Sequence, residues 1–183
     1  MSMNTETNVN QTYGKVTGPR VVEIQRLLPG PIERVWDYLT KSDMRRQWLA
    51  SGDMKSETGT PFTLTWRNDE LATTSPGTRP EGMSAENSQA CIVEEWDPPH
   101  KLVYSWGENG LVSFALKPAG NRVLMTLVHS KLPRRGTMVG VSAGWHAHLE
   151  VLIAVLEGHK AGPFWDNWSE LRKVYDKAIP ADA

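Results

Sequence analysis

The chain has 183 residues, of which 39% are hydrophobic and 22% charged, with a formal net charge of -1. This suffices for one domain with a sizeable core, and near-neutrality without a long block of one sign leaves no electrostatic footprint for nucleic acid or an anionic membrane. The longest purely aliphatic run, Val151–Leu156, is far short of the roughly 20 apolar residues of a membrane span, and the polar start MSMNTETNVNQ lacks the regions of a signal peptide, so a cytoplasmic location is expected. The single cysteine, Cys91, excludes an internal disulfide and any multi-cysteine metal site, and no cofactor motif is present; what stands out is eight tryptophans.

Residues 1–18 are polar and aperiodic, and read as a tail that is either disordered or docked as an edge strand, leaving a single domain over 19–179. RVVEIQRLL has strand length and composition and stops at Pro29-Gly30-Pro31. In PIERVWDYLT, Ile32, Val35, Trp36 and Leu39 follow helical spacing, and Ser42 is placed to cap a second short helix through DMRRQWL. PFTLTWR alternates Phe62, Leu64 and Trp66 against threonines, the period of a strand with one buried face. The segment 68–88 has almost no apolar content and reads as a long loop. Four strands follow, QACIVEEW, KLVYSWG, LVSFALKP and RVLMTLVHS, separated by short turns. A helix is predicted from Met138 to Glu157, ending at Gly158, and a last helix places Phe164, Trp168, Leu171 and Tyr175 on one face.

An antiparallel sheet with one apolar face must be covered, and the helix at 138–157 is long enough to cover it. The expected fold is therefore α+β: a curved antiparallel sheet of about six strands gripping a long C-terminal helix, with two short helices after the first strand and an extra terminal helix. On that long helix Met138, Val141, Trp145, Leu149, Leu152 and Leu156 form the stripe facing the sheet, with Ala147, Glu150, Ala154 and Glu157 on the other side.

Three segments, PIERVWDYLTKSDMRRQWL, KLVYSWG and GWHAHLEVLIAVLEG, resemble the corresponding parts of the START-like (SRPBCC, polyketide-cyclase-like) helix-grip superfamily, in particular its heat-shock protein 90 ATPase activator homologue group. The resemblance spans residues 20–175. It implies a cavity between sheet and long helix that takes a hydrophobic small molecule. The chain departs from the group's usual pattern at the long 68–88 segment and at Leu49, where a phenylalanine is common.

His146 and His148 lie two positions apart, which on a helix at about 100° per residue puts them on different sides and unable to share one metal. His148 falls at the edge of the apolar stripe, either as a core-edge histidine donating to a backbone carbonyl or as a cavity-lining group; His146 is expected at the flank near Glu150, and His159 in solvent. His129 shares the alternation of Val123, Met125 and Leu127, which places it either at the mouth of the cavity or, if that face is the outer one, in water at a strand end. Most of the eight tryptophans read as core, or else a subset of Trp48, Trp66, Trp106 and Trp145 lines a cavity with Phe114, His148 and Leu152, while Trp165 and Trp168 pack the terminal helix. Cys91 reads as a buried, inert thiol.

The leading expectation is binding of a hydrophobic or aromatic small molecule in that cavity, with 68–88 as a possible lid. Two alternatives stand beside it: a cyclase or hydrolase acting on a polyketide-like substrate, for which no nucleophile elbow or other catalytic motif is present, and a chaperone ATPase activator-like interaction module. The tryptophan content also leaves a homodimer open.

Overall fold

The computed structural model describes residues 9–183, so the first part of the expected polar tail lies outside the described residues. Seven antiparallel strands form one open sheet: β1 (Lys15–Gly18), β2 (Val21–Pro29), β3 (Pro61–Trp66), β4 (Asn87–Asp97), β5 (Lys101–Ser105), β6 (Leu111–Ala119) and β7 (Arg122–Ser130), in the order β1-β2-β7-β6-β5-β4-β3. The additional strand is β1, the end of the segment read as a tail, which docks on the outer edge of β2. Just upstream, the Asn10 side-chain amide donates to the Leu27 carbonyl at 3.0 Å while its oxygen accepts the Leu27 N–H at 2.7 Å, so one side chain continues the ladder where β1 has ended.

Alternation fixes the faces. Along β2 the buried residues are Val22, Ile24, Arg26 and Leu28, and along β7 Val123, Met125, Leu127 and His129, with Val22 opposite His129 and Arg26 opposite Met125. Helices α1 (Ile32–Thr40) and α2 (Ser42–Arg45) join β2 to β3. Ser42 is not the cap of α2 but its first residue: its hydroxyl accepts the Gly52 N–H at 2.8 Å, because the chain after α2 folds back over it.

Helix α3 (Arg135–Glu157) begins three residues before the predicted start and ends, as predicted, at Gly158 in the left-handed conformation. Met138, Leu149 and Leu152 are fully buried, as are Trp145 and Leu156, but Val141 is only half-buried. The opposite side is not a solvent face. Ala147 and Ala154 are buried there as well, because α4 (Phe164–Ala178) packs along α3, with Phe164, Leu171 and Tyr175 in the common core. Being covered on both sides, α3 is long and apolar enough to cross a membrane, yet 67% of its most apolar stretch is buried within the protein, as in the core helix of a folded domain.

Candidate functional site

Where β3, β5, β6 and β7 face the middle of α3, one continuous group of rings fills the gap. Trp106 is at its centre, with ring centroids 5.2 Å from Trp66, 5.5 Å from His129 and 5.0 Å from Trp145. Phe114 meets Trp145 edge-on at 5.7 Å, and Tyr104 stacks on Trp106 at 6.1 Å and reaches Phe62 and Phe114. These are contact separations for aromatic pairs, so side chains occupy this end of the space between sheet and helix. Trp145, Phe114, Tyr104 and His129 are buried; Trp66 and Trp106 are half-buried and form the outer rim.

Trp106 reaches the centre because it continues the inward alternation of Leu102 and Tyr104 into the β5–β6 turn. There its N–H donates to the Gly110 carbonyl at 2.9 Å and its carbonyl accepts the Asn109 N–H at 2.9 Å. Gly110 has φ +112°, and a Cβ at that position would lie 2.3 Å from the Ser130 carbonyl oxygen, so only glycine lets the turn sit against β7.

His129 joins the turn to the helix. The Trp145 indole N–H, which can only donate, points at His129 Nδ1 across 3.1 Å; Nδ1 is therefore the unprotonated nitrogen, and Nε2–H donates to the Asn109 carbonyl at 2.8 Å. Burial pushes the imidazole down to about 4, with the Asn109 bond opposing, so the ring is neutral at neutral pH. With both nitrogens engaged, His129 has no lone pair for a proton or a metal while this arrangement holds. Among the described residues no group of three or more histidine, cysteine or carboxylate side chains is placed to hold a metal ion.

The structure thus brings Trp66, Trp106, Phe114, His129 and Trp145 together as contacting rings, whereas Trp48 and His148 find their partners elsewhere and Leu152 lies in the common core. Trp48 is fully buried under α1, donating its indole N–H to the Tyr38 carbonyl at 2.8 Å. Its own carbonyl accepts from His148 Nδ1 at 2.8 Å, and the His148 ring lies against Phe164 at 4.7 Å. Burial holds His148 down at about 4, the Trp48 bond opposing. Leu152 is an ordinary core residue of α3. His146 does meet Glu150, Nε2 to Oε1 at 3.4 Å, but it is buried rather than on an open flank: Tyr13 and Tyr175 close over it, with Nδ1 2.8 Å from the Tyr175 hydroxyl. His159 is exposed, as expected.

Sequence reasoning missed Tyr104, although the alternation Leu102, Tyr104, Trp106 carries it. It also missed Arg45, for which no local signal exists. This guanidinium is fully buried and donates to the carbonyls of Leu39 (3.3 Å), Thr40 (3.1 Å), Ala50 (3.1 Å) and Gly52, tying α1, α2 and the following turn together; burial lowers its pKa. Cys91 lies nearby, its thiol pushed up to about 11 by burial, which keeps it protonated and unreactive. The segment 68–88 opens with a 3-10 turn at Asn68–Glu70 and is tied to the start of α4: Trp165 donates its indole N–H to Asp69 at 2.7 Å and its backbone N–H to the Pro76 carbonyl at 2.9 Å, and Asp166 accepts the Thr78 N–H at 2.9 Å.

Similar folds and sequences are known. A protein encoded by gene BPP1335 of Bordetella parapertussis, solved by NMR, is 32% identical over 92% of this chain and 91% of its own, with a TM-score of 0.78. CalU16 from Micromonospora echinospora (19% identity, 90% of this chain and 93% of its own, TM-score 0.64) and the conserved protein EF2215 from Enterococcus faecalis (17%, 100% and 98%, TM-score 0.67) share the fold. No curated protein matches the chain at a significant level. The family profile described as Activator of Hsp90 ATPase homolog 1-like protein matches residues 29–157, from the end of β2 to the end of α3. Strands β3 to β7 and the gripped helix lie within the matched residues, and the chain belongs to this family of the helix-grip superfamily.

Proposed function

We propose that the protein binds an aromatic or hydrophobic small molecule by admitting it between Trp66 and Trp106. The observation that carries this reading is the gradation of one ring network from half-buried at Trp66 and Trp106 to fully enclosed at Trp145 and Phe114. A flat ligand that replaces the edge-on contact of the two outer rings gains two aromatic faces and meets Trp145 behind them. The family's fold, in which a sheet grips a helix around apolar side chains, supports the same reading. An enzymatic role has less support, since His129 has both nitrogens engaged and the Cys91 thiol is held protonated. The chaperone-activator role rests on the family's description alone.

The test is a fluorescence titration with 2-naphthol as probe. Binding is expected to quench tryptophan emission saturably, and Trp66→Ala and Trp106→Ala each to weaken it roughly tenfold or more, whereas Trp168→Ala, on α4 with its ring against Trp165 and outside the ring network, leaves the affinity unchanged. No saturable change in the wild-type protein, or equal binding by all three variants, sinks the proposal.

A further inference from the structure

Away from the ring network, the inward face of β2 carries a guanidinium to which no carboxylate is hydrogen-bonded among the described residues. Arg26 stands between Ile24 and Leu28 and is 0% exposed. Its Nη1 donates to the Gln25 carbonyl at 2.7 Å and more distantly, at 3.4 Å, to the Val9 carbonyl, which already accepts the Thr12 hydroxyl at 2.8 Å. Nε and Nη2 are buried and have no hydrogen-bond partner among the described residues. Glu150 is near enough for its charge to be felt, but its carboxylate is engaged by His146 and Asn167. Burial accordingly lowers the Arg26 pKa.

The two idle nitrogens define a shape. In a guanidinium, Nε–H and one Nη2–H point in parallel from one edge, the edge that meets both oxygens of a carboxylate. Buried guanidinium groups are ordinarily paired, because an uncompensated charge in the interior is costly. One positive charge is balanced by one negative, which favours a carboxylate over a dianionic phosphate.

The segment Val9–Gly14 lies beside this guanidinium, with the Val9 carbonyl 3.4 Å from Nη1, and is held by the Asn10 amide on Leu27, by the Tyr13 ring against His146 and Tyr175 (5.1 and 5.8 Å), and by the Gly14 N–H donating to the Tyr175 hydroxyl at 2.7 Å. The strand that follows, β1, is four residues long and pairs with β2 through a shifted register. Lifting this strap breaks a few contacts at the sheet edge and leaves the core intact.

We propose that the Nε/Nη2 edge of Arg26 is a carboxylate-binding site, flanked by the strap Val9–Gly14 and separate from the aromatic mouth. The carboxylate comes either from a small molecule or from the chain itself, whose sequence has Glu6 three residues before Val9.

Thermal unfolding in sodium acetate against sodium chloride at equal ionic strength, for the wild type, Arg26→Met and Glu6→Gln, tests this. With a free carboxylate as the natural occupant, acetate raises the wild-type Tm saturably by about 3 to 5 °C at roughly ten times its Kd and leaves Arg26→Met unmoved. With Glu6 as the occupant, the wild type ignores acetate, Glu6→Gln melts lower in chloride, and acetate restores it. Should Arg26→Met fail to fold, the Arg26 Nε–H signal in a nitrogen-15 spectrum gives the same answer in folded protein by shifting with acetate. No acetate-specific effect in wild type or Glu6→Gln, or an equal effect in Arg26→Met, overturns the proposal.

Discussion

Trp145 on α3 donates its indole N–H to Nδ1 of His129 on β7, a bond of 3.1 Å that links the gripped helix to the sheet in the buried part of the ring network. Trp145→Phe keeps the ring and removes the donor, leaving a buried acceptor unpaired. It is expected to cost about 1–3 kcal/mol. Urea unfolding measures this, and a double-mutant cycle with His129→Leu is expected to show coupling, because once His129 is gone Trp145→Phe has no bond left to break, while the loss of the Asn109 carbonyl's donor is common to both His129 variants and cancels from the cycle.

The two buried neutral histidines make stability depend on pH. His129 and His148 each titrate near 4 in the folded protein, against an ordinary value of 6.5, so between those values the unfolded chain binds more protons than the folded one. Their contribution is complete above about pH 6.5 and is lost as the pH falls towards 4, by an amount on the order of 3 kcal/mol for each histidine. Urea midpoints measured from pH 7 to 4.5 are expected to fall. His148→Gln is expected to flatten that slope, since an amide in place of the imidazole has no proton to gain.

Arg45 is expected to be intolerant of replacement. Arg45→Met leaves the carbonyls it serves on α1 and the following turn without that donor, at a cost of at least about 3 kcal/mol. Arg45→Lys restores one point donor in place of a planar fork and recovers only part of the loss, again read from urea midpoints.

Cys91 is expected to resist alkylation. Iodoacetamide at pH 8 modifies the thiolate, and the Cys91 thiol, buried and raised to about 11, presents almost none in the folded state. Mass spectrometry is expected to find the native protein unmodified over hours and the urea-unfolded protein alkylated at once.

Much of the architecture is legible in local pattern. Alternation in RVLMTLVHS places His129 with Val123, Met125 and Leu127, and the structure buries that set. Helical spacing separates His146 from His148, and their partners are indeed on different elements, Tyr175 and Trp48. The site is less legible. Trp48 and Trp66 are both tryptophans at the apolar positions of amphipathic segments, yet one is sealed beneath α1 and the other opens at the rim. Spacing within a segment cannot tell them apart, because the difference comes from what is packed on top.

The sequence by itself determined the order of elements, the antiparallel meander and the choice of α3 as the helix that closes the sheet, since these follow from periods of two and 3.6 residues and from turn residues read over a few positions. Only the tertiary structure decided that α4 buries the second side of α3, that Asn109 and Trp145 converge on one imidazole, and that Arg26 lies inside with Nε and Nη2 unpartnered among the described residues. Each of those depends on strand register and on contacts between residues far apart in the chain: the Gly14–Tyr175 bond spans 161 positions and the His148–Trp48 bond 100, distances over which no local pattern carries information.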